Sequence, residues 1–548
     1  LERALSAVVA RHHPLRTTFA TDETSQQPVQ VIHSDVELVL ERLDLSSESA
    51  EQQEHRLEEA LTEACRRPFY LNSADHESGL VIRAMAIKLS VTSHVFLVNM
   101  HHIASDGTSM GVFWRDLGRF YVMLGEGAGV ASSLKGLAPL PVEYADFAVW
   151  ERDFVVSKEC ARQLEYWKGV LGLDPEPLEL STDRPRPKVV THNGARISSR
   201  LVEGVAQAGL ETFARRHKVT VFMVVLAAFQ LALSRYSRQE ELLVGILSSG
   251  RTHAATENLM GLFVNTLAVK GDFSSSALSL SSLLEQVRES VLGAFDHQDV
   301  PSDMVVDEVL TGRDPSRMPL VQALLNFNEF ESRTKGGLFG EEVNCHSVAS
   351  GKGVTSKFEV SLGANVDAAG LRLSLEYNTD LFDARTAEGL VGHVGNLLRS
   401  MLACPSGDLL VSQLEMLSSE ERQHILGLLR GDLVEYKGPP TLKQLFEEQA
   451  QRTPHNVALE FHDTKVTYAE LDRWSNQVAW ELREKHGVKA DVLVGLSAER
   501  TIETMVGMLG IIKAGGAYVP IDPEWPEERL SFLQEDAHLF VVLCGIKH

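Results

Sequence analysis

Apolar positions along the chain keep two rhythms. "HVFLVNM" (94–100) is a short β-rich apolar run ending at a turn signal, the pattern of a buried strand. Directly after it, Met110, Phe113, Trp114, Leu117, Phe120, Tyr121 and Leu124 recur at helical spacing, which predicts a helix over 108–124. Segment 219–236 reads as a mostly buried helix, followed by the strand-like "ELLVGILSSGR" (241–251) and "MGLFVNTLAVKGDF" (260–273). Leu283, Val287, Val291 and Phe295 form one stripe of an amphipathic helix over 282–296. Two prolines make 310–322 an exposed loop, and "LRLSLEYNTDLFD" (371–383) alternates like a half-buried strand. Near 416–440 a Ser-capped helix gives way to a Gly/Pro-bearing linker, which marks a domain boundary.

At 548 residues the chain is too long for one hydrophobic core, so several domains are expected. With 52 basic and 75 acidic residues its formal charge is −23, a balance that repels phosphate backbones and argues against general nucleic-acid binding. The five cysteines, Cys65, Cys160, Cys345, Cys404 and Cys544, lie far apart. That spacing suits a reducing cytosol and neither a disulfide scaffold nor a zinc ribbon. Leu1 opens a helix-like run with no signal-peptide layout, and the longest apolar stretches, such as "VTVFMVVLAAFQLALSRY", carry polar residues and fall short of a clean membrane span. The expectation is a cytoplasmic protein without membrane contact, cut from something longer.

The stretch "NMHHIASDG" (99–107) sits where the first strand hands over to its helix. Adjacent histidines alone mean little, because His12 and His13 in "RHHPLRTTF" lack the acid and glycine at the same offset. In one reading Asp106 caps the following helix and His101 is a packed core residue. In a second, the two histidines hold a metal; on a continuing strand they point to opposite faces, so no metal site is expected. In a third, one histidine faces a cavity and the other the core, while Asp106 fixes the loop by pairing with a buried arginine. Arg251, after "LSSG", and Arg16, in "PLRTTF", are the candidates.

Context separates these readings. "RHHPLRTTF" (11–19), "NMHHIASDG" (99–107), "YADFAVW" (144–150), "MGLFVNTLAVK" (260–270), "HQDVPSD" (297–303) and "RDPSRMPLVQ" (313–322) occur in that order. The series resembles the successive core motifs of nonribosomal peptide synthetase condensation domains. The family's opening motif is expected upstream of Leu1, and the chain departs from the common pattern at His13, Thr108 and Ser302. "LFEEQAQRTPHNVAL" (445–459), "VTYAELDRWSNQVAWEL" (466–482) and "IIKAGGAYVPIDPEWPEERL" (511–530) resemble the lead-in and first two core motifs of an adenylation domain. Lys513 belongs to that early motif and is not the catalytic lysine of such domains, so adenylation by this tail is not expected.

The resemblance implies an α/β fold of mixed sheets with helices: two chloramphenicol-acetyltransferase-like lobes in a V, then the N-terminal part of an adenylate-forming domain. The expected division is a condensation domain over 1–415 (lobes about 1–155 and 156–415), a linker over 416–440 and the adenylation fragment over 441–548. The implied reaction is amide formation, in which an acceptor α-amine attacks a donor thioester in a tunnel between the lobes. His102 would act there as hydrogen-bond acceptor or base, with His101, Asp106 and Gly107 as structural support and Arg251 a better partner for Asp106 than Arg16. Gly107 would give room to a pantetheine arm, or simply serve the turn. Ser105, Asn265, Arg313 and Arg317 are candidate tunnel or carrier contacts, while Tyr144 and Trp150 fill core and Asp146 caps or pairs. No cofactor is expected in the condensation domain itself; phosphopantetheine arms arrive on partner carrier proteins, and ATP and Mg belong only to a complete adenylation domain. The partners are the upstream donor and downstream acceptor peptidyl carrier proteins and the adjacent adenylation domain. Ester formation, epimerisation and silent carrier docking are the alternatives, and donor and acceptor identities stay open.

Overall fold

In the computed structural model, all residues are described except 25, 35, 37, 72–79, 128, 328–338, 340–342, 344, 346–354, 405, 432–433, 436, 498 and 546–548. The chain divides into two compact units, Leu1–Ile425 and Leu426–His548. The first unit holds two large hydrophobic cores, hereafter its first and second lobes.

The first lobe is built on a three-stranded sheet in the order Leu40–Asp44, Ile82–Lys88, His94–Met100, with the last pair antiparallel. Helix Gly107–Gly125 lays Val112, Phe113, Leu117 and Phe120 into the core, where they meet Leu5, Val8 and Val9 of helix Glu2–Arg11. His94–Met100 is an edge strand, only half-buried, because one flank has no neighbour among the described residues. That corrects the fully buried strand expected from its apolar run.

The second lobe carries a mixed six-stranded sheet in the order Gly194–Leu201, Gly370–Asn378, Val360–Asp367, Ala323–Phe327, Glu241–Ser248, Asn265–Asp272. Its two central pairings are parallel and the outer ones antiparallel. Helix Val221–Ser237 is interior on every face: all residues from Met223 to Leu233 are buried, and the one polar side chain among them, Gln230, donates to Val269 O. Helices Leu280–Asp296 and Ala384–Ala403 add their apolar stripes to the same core. The strand expected over 260–273 begins only at Asn265. Met260–Val264 leave the sheet as a loop, since Gly261 takes φ +153° and Met260 is drawn into the first lobe's core. Helix Ser419–Leu429 runs across the division between the two units in the chain, with Ser418 Oγ accepting from the Glu421 N–H at 3.1 Å.

The second unit has a hairpin (Val457–Phe461, Thr464–Thr467) and a parallel sheet ordered Ala517–Ile521, Leu493–Ser497, Val542–Leu543. Helices Tyr468–Glu484 and Ile502–Ala514 pack with that sheet. Among the described residues no single helix is long and apolar enough to cross a membrane. The bent pair Gln207–Arg216 and Val221–Ser237 passes on composition, but the second helix is interior to the second lobe. None of the five cysteines is in a disulfide.

Candidate active site

The strand stops at Met100, and His102–Ala104 form one 3-10 turn before the helix starts at Gly107. His101 and His102 therefore do not alternate on one strand. His101 is half-buried: its N–H donates to Val81 O at 2.8 Å, and its Nδ1 accepts from the Ile103 N–H at 3.0 Å. Burial, then the neighbouring His102 and the Lys357 ammonium, hold its pKa below the ordinary imidazole value. A neutral ring that accepts at Nδ1 has its proton on Nε2. The His102 side chain is exposed. Among the described residues no group of three or more His, Cys, Asp or Glu could hold a metal ion.

Asp106 is buried and uses both oxygens. Oδ1 accepts from the Ser109 N–H at 2.7 Å, which caps the helix. Oδ2 accepts from Arg251 Nη1 at 2.8 Å and from the Phe263 N–H at 3.0 Å. The capping and arginine-pairing readings of this aspartate are thus both present. The Arg251 side chain is 3% exposed, and its guanidinium lies 4.2 Å above the Phe263 ring centroid. Arg16 is elsewhere and donates to the His33 carbonyl.

Phe263 reaches the first lobe on a strap of second-lobe chain, Leu259–Phe263, whose first carbonyl also accepts from Arg251 Nη2 at 3.2 Å. Leu259, Met260 and Phe263 are buried, each worth about 1.5–3 kcal/mol relative to exposure. Ser109 Oγ donates to Gly261 O at 2.9 Å and accepts from the Gly261 N–H at 3.1 Å and Arg251 Nη2 at 2.9 Å. On the strap's other side Tyr144 Oη donates to Leu262 O at 2.9 Å, and its ring meets Phe263 edge-on. Burial, then the Glu151 carboxylate, pushes the Tyr144 phenol up to about 12. A Cβ on Gly261 would overlap the Tyr144 ring, so only glycine fits between the two helices.

Gly107 behaves differently. Its φ is not positive, and a Cβ there would meet nothing within 4 Å. Neither turn geometry nor packing requires a glycine, and the space in front of it is open.

The remaining candidates are spread out. Ser105 is buried, its N–H given to His102 O at 3.3 Å. Asn265 Nδ2 donates to Gln298 O and Val300 O at 2.9 and 2.7 Å, and its Oδ1 accepts from the Ser302 N–H at 3.0 Å, so its amide ties a strand start to the turn that opens helix Ser302–Val309. Arg313 is exposed and pairs with Asp307. Arg317 is largely buried and pairs with Glu179 at 2.7 Å, so it is not a solvated arginine of the 310–322 loop. Trp150 is 46% exposed and does not fill a core; it stacks between Phe147 and Phe154 along its own helix, while Asp146 caps that helix at the Glu143 N–H. Ser109, Phe263 and the Tyr144 hydroxyl were not singled out by sequence reasoning. Only the place of Ser109 in the first helical turn hinted at an orienting role.

A family model described as condensation domain matches residues 1–426, and one described as AMP-binding enzyme matches 446–548. The chain is 37% identical over 542 residues to a component of the linear gramicidin synthase of Brevibacillus parabrevis, covering 99% of this chain and 7% of the relative. Tyrocidine synthase 3 of the same organism is 36% identical over 546 residues, covering 99% and 8%. The chain thus spans less than a tenth of these curated relatives' length. A four-domain nonribosomal peptide synthetase solved with AMP and glycine superposes with a TM-score of 0.69 at 25% identity, covering 99% of this chain and 40% of that one. The first condensation domain of the calcium-dependent antibiotic synthetase shares the fold, with a TM-score of 0.59 at 20% identity over 76% of this chain and 90% of that one.

Proposed function

This chain belongs to the condensation-domain family and runs on into the start of an AMP-binding enzyme; from that premise we propose that it forms an amide between two carrier-bound groups in nonribosomal peptide synthesis. The α-amine of an aminoacyl thioester attacks the thioester carbonyl of the donor; the C–N bond forms, the C–S bond breaks, and the donor pantetheine leaves as its thiol. The working division is a condensation domain over 1–415, with lobes of about 1–155 and 156–415, a linker over 416–440 and an adenylation fragment over 441–548. Upstream and downstream carrier proteins supply the pantetheine arms.

The observation that carries the reading is an exposed imidazole at His102 on a turn whose following residues are pinned by a buried ion pair. A free α-amino group has a pKa of about 7.7–8.0, so its deprotonation near pH 7 costs only about 1.4 kcal/mol. Holding amine and thioester in line contributes about 7–11 kcal/mol, so placement is the larger effect. His102 accepts a hydrogen bond from the amine, or its proton as the tetrahedral species forms, a role worth about 10²–10⁴-fold. The open space at Gly107 supports passage of a pantetheine arm beside the helix start.

The test uses donor and acceptor carriers loaded from a panel of amino acids. Amide product supports the reading; an inverted stereocentre, an ester or no product at all would each replace it. In a His102→Ala variant with unchanged melting, amide formation should fall by about 10²–10⁴-fold. An unaltered rate removes His102 from the chemistry.

A further inference from the structure

We propose that Ser109 is a positioning residue: its hydroxyl couples the second-lobe strap to the histidine motif and so sets where His102 stands. The inference rests on the amide-forming reading for its kinetic consequence and on geometry for its mechanism. A serine hydroxyl offers one donor and two acceptor positions. All three are used, and every partner comes from chain 142 or 152 residues away, in the other lobe. Ser109 is 0% exposed, so water has no access to replace a lost bond.

The arrangement makes one rigid unit of five residues. The Arg251 fork spans the helix start, with Nη1 on Asp106 and Nη2 on Ser109. Asp106 in turn holds the Ser109 N–H, so cap and first turn are tied to the same guanidinium. Gly261 exchanges both of its backbone bonds with the Ser109 hydroxyl, and the Phe263 N–H closes the ring on Asp106. Without the hydroxyl, Arg251 keeps Asp106 and the Leu259 and Ser249 carbonyls, but Gly261 loses both of its bonds to the helix and the strap keeps only the Phe263 N–H on Asp106. The Arg251 fork then grips the helix start through Asp106 alone, so guanidinium and carboxylate can shift together relative to the helix. The turn that carries His102 leads directly into that carboxylate, so its position relative to second-lobe groups slackens. A misplacement of about 1 Å costs about 100-fold in a reaction that depends on alignment.

The experiment compares the full chain with Ser109→Ala, Ser109→Thr, Arg251→Met and the Ser109→Ala/Arg251→Met double variant. The substrates are the loaded carrier pair that the unaltered chain condenses. Ser109→Ala should lower kcat by about 10–100-fold with KM for both carriers little changed. Ser109→Thr, which keeps the hydroxyl, should recover most of that loss. In the Arg251→Met background Ser109→Ala should lower kcat by clearly less than it does alone, because part of its effect runs through that guanidinium. Losses that multiply, or a Ser109→Ala rate equal to the parent's, overturn the inference.

Amide hydrogen exchange supplies a readout that does not depend on activity. In Ser109→Ala the Gly261 amide should exchange faster, while the Ser109-position amide, held by Asp106, stays protected. Unchanged exchange at Gly261 overturns the coupling. If Ser109→Ala does not fold, the same comparison is made with Ser109→Cys, whose thiol is a weak acceptor, and the same outcomes decide. A parent chain that makes no amide defeats the functional reading alone, and the exchange result still decides whether Ser109 pins the strap.

Discussion

Asp106 divides its oxygens between a helix and a lobe, and the two duties predict different costs. Asp106→Ala strands the Arg251 guanidinium in an interior where its side chain is 3% exposed, and also uncaps the helix. Breaking a buried pair costs about 3–5 kcal/mol. Asp106→Asn keeps a capping oxygen and should recover about 1 kcal/mol of it. Denaturant midpoints of the two variants check the order; equal midpoints would remove the cap from the account. A second buried pair gives a pH prediction. His12 Nε2 stands 3.0 Å from Asp116 Oδ2, both side chains 1% exposed, with Arg11 and Arg115 on the same carboxylate. Burial lowers the His12 pKa against the pull of Asp116. Burial raises the Asp116 pKa, but the His12 hydrogen bond and the Arg115 charge bring it below the usual carboxylate range. The folded state thus keeps His12 neutral while the unfolded state takes up a proton. Its contribution is whole above about pH 6.5 and is lost as pH falls below that, by up to about 1.4 kcal/mol per unit. A His12→Gln variant should show a flatter fall of stability between pH 6.5 and 5 than the parent; parallel curves would refute it.

At the scale of elements, two glycines separate packing from access. Gly261 takes φ +153° with the Tyr144 ring against it, so Gly261→Ala strains both backbone and helix contact and should cost about 2–3 kcal/mol. Gly107 begins a helix at an ordinary φ with open space before it, so Gly107→Ala should leave the melting temperature level or slightly raised. The same variant should slow condensation of carrier-bound substrates if that space takes the pantetheine arm. Thermal melts alongside the two-carrier assay distinguish these, and an unchanged rate in Gly107→Ala would return that glycine to the status of a bystander. Element types were legible because periodicity is local: the helices found at Gly107–Gly125 and Leu280–Asp296 match the stripes of the sequence within a residue or two. The strap was illegible, because "MGLFVNTLAVK" has strand composition throughout. What removes Met260–Val264 from the sheet is a first-lobe core that takes Met260, and no local pattern encodes that.

At the scale of the molecule, the two units have separate cores and should melt as separate transitions. Lys513 gives a marker for the second. Its Nζ, on a side chain 2% exposed, donates to Asp472 Oδ1 at 2.6 Å and Asn476 Oδ1 at 3.0 Å. Lys513→Ala should lower only that unit's transition, at a cost of about 3 kcal/mol, the low end for a broken buried pair because Asp472 keeps some solvent. Calorimetry that shows both transitions moving together would join the units energetically.

The amino-acid order by itself determined the kinds and succession of elements, the ordered motifs and the family they resemble, because apolar period, turn chemistry and short signatures act within a few residues of one another. Tertiary structure alone decided that the Phe263 N–H joins Arg251 on Asp106, that Trp150 stays near solvent, and that Ser109 spends its hydroxyl on the other lobe. Those choices join residues up to 157 positions apart. They depend on how two independently patterned cores come to rest against each other, and a sequence specifies that only through the sum of many weak contacts.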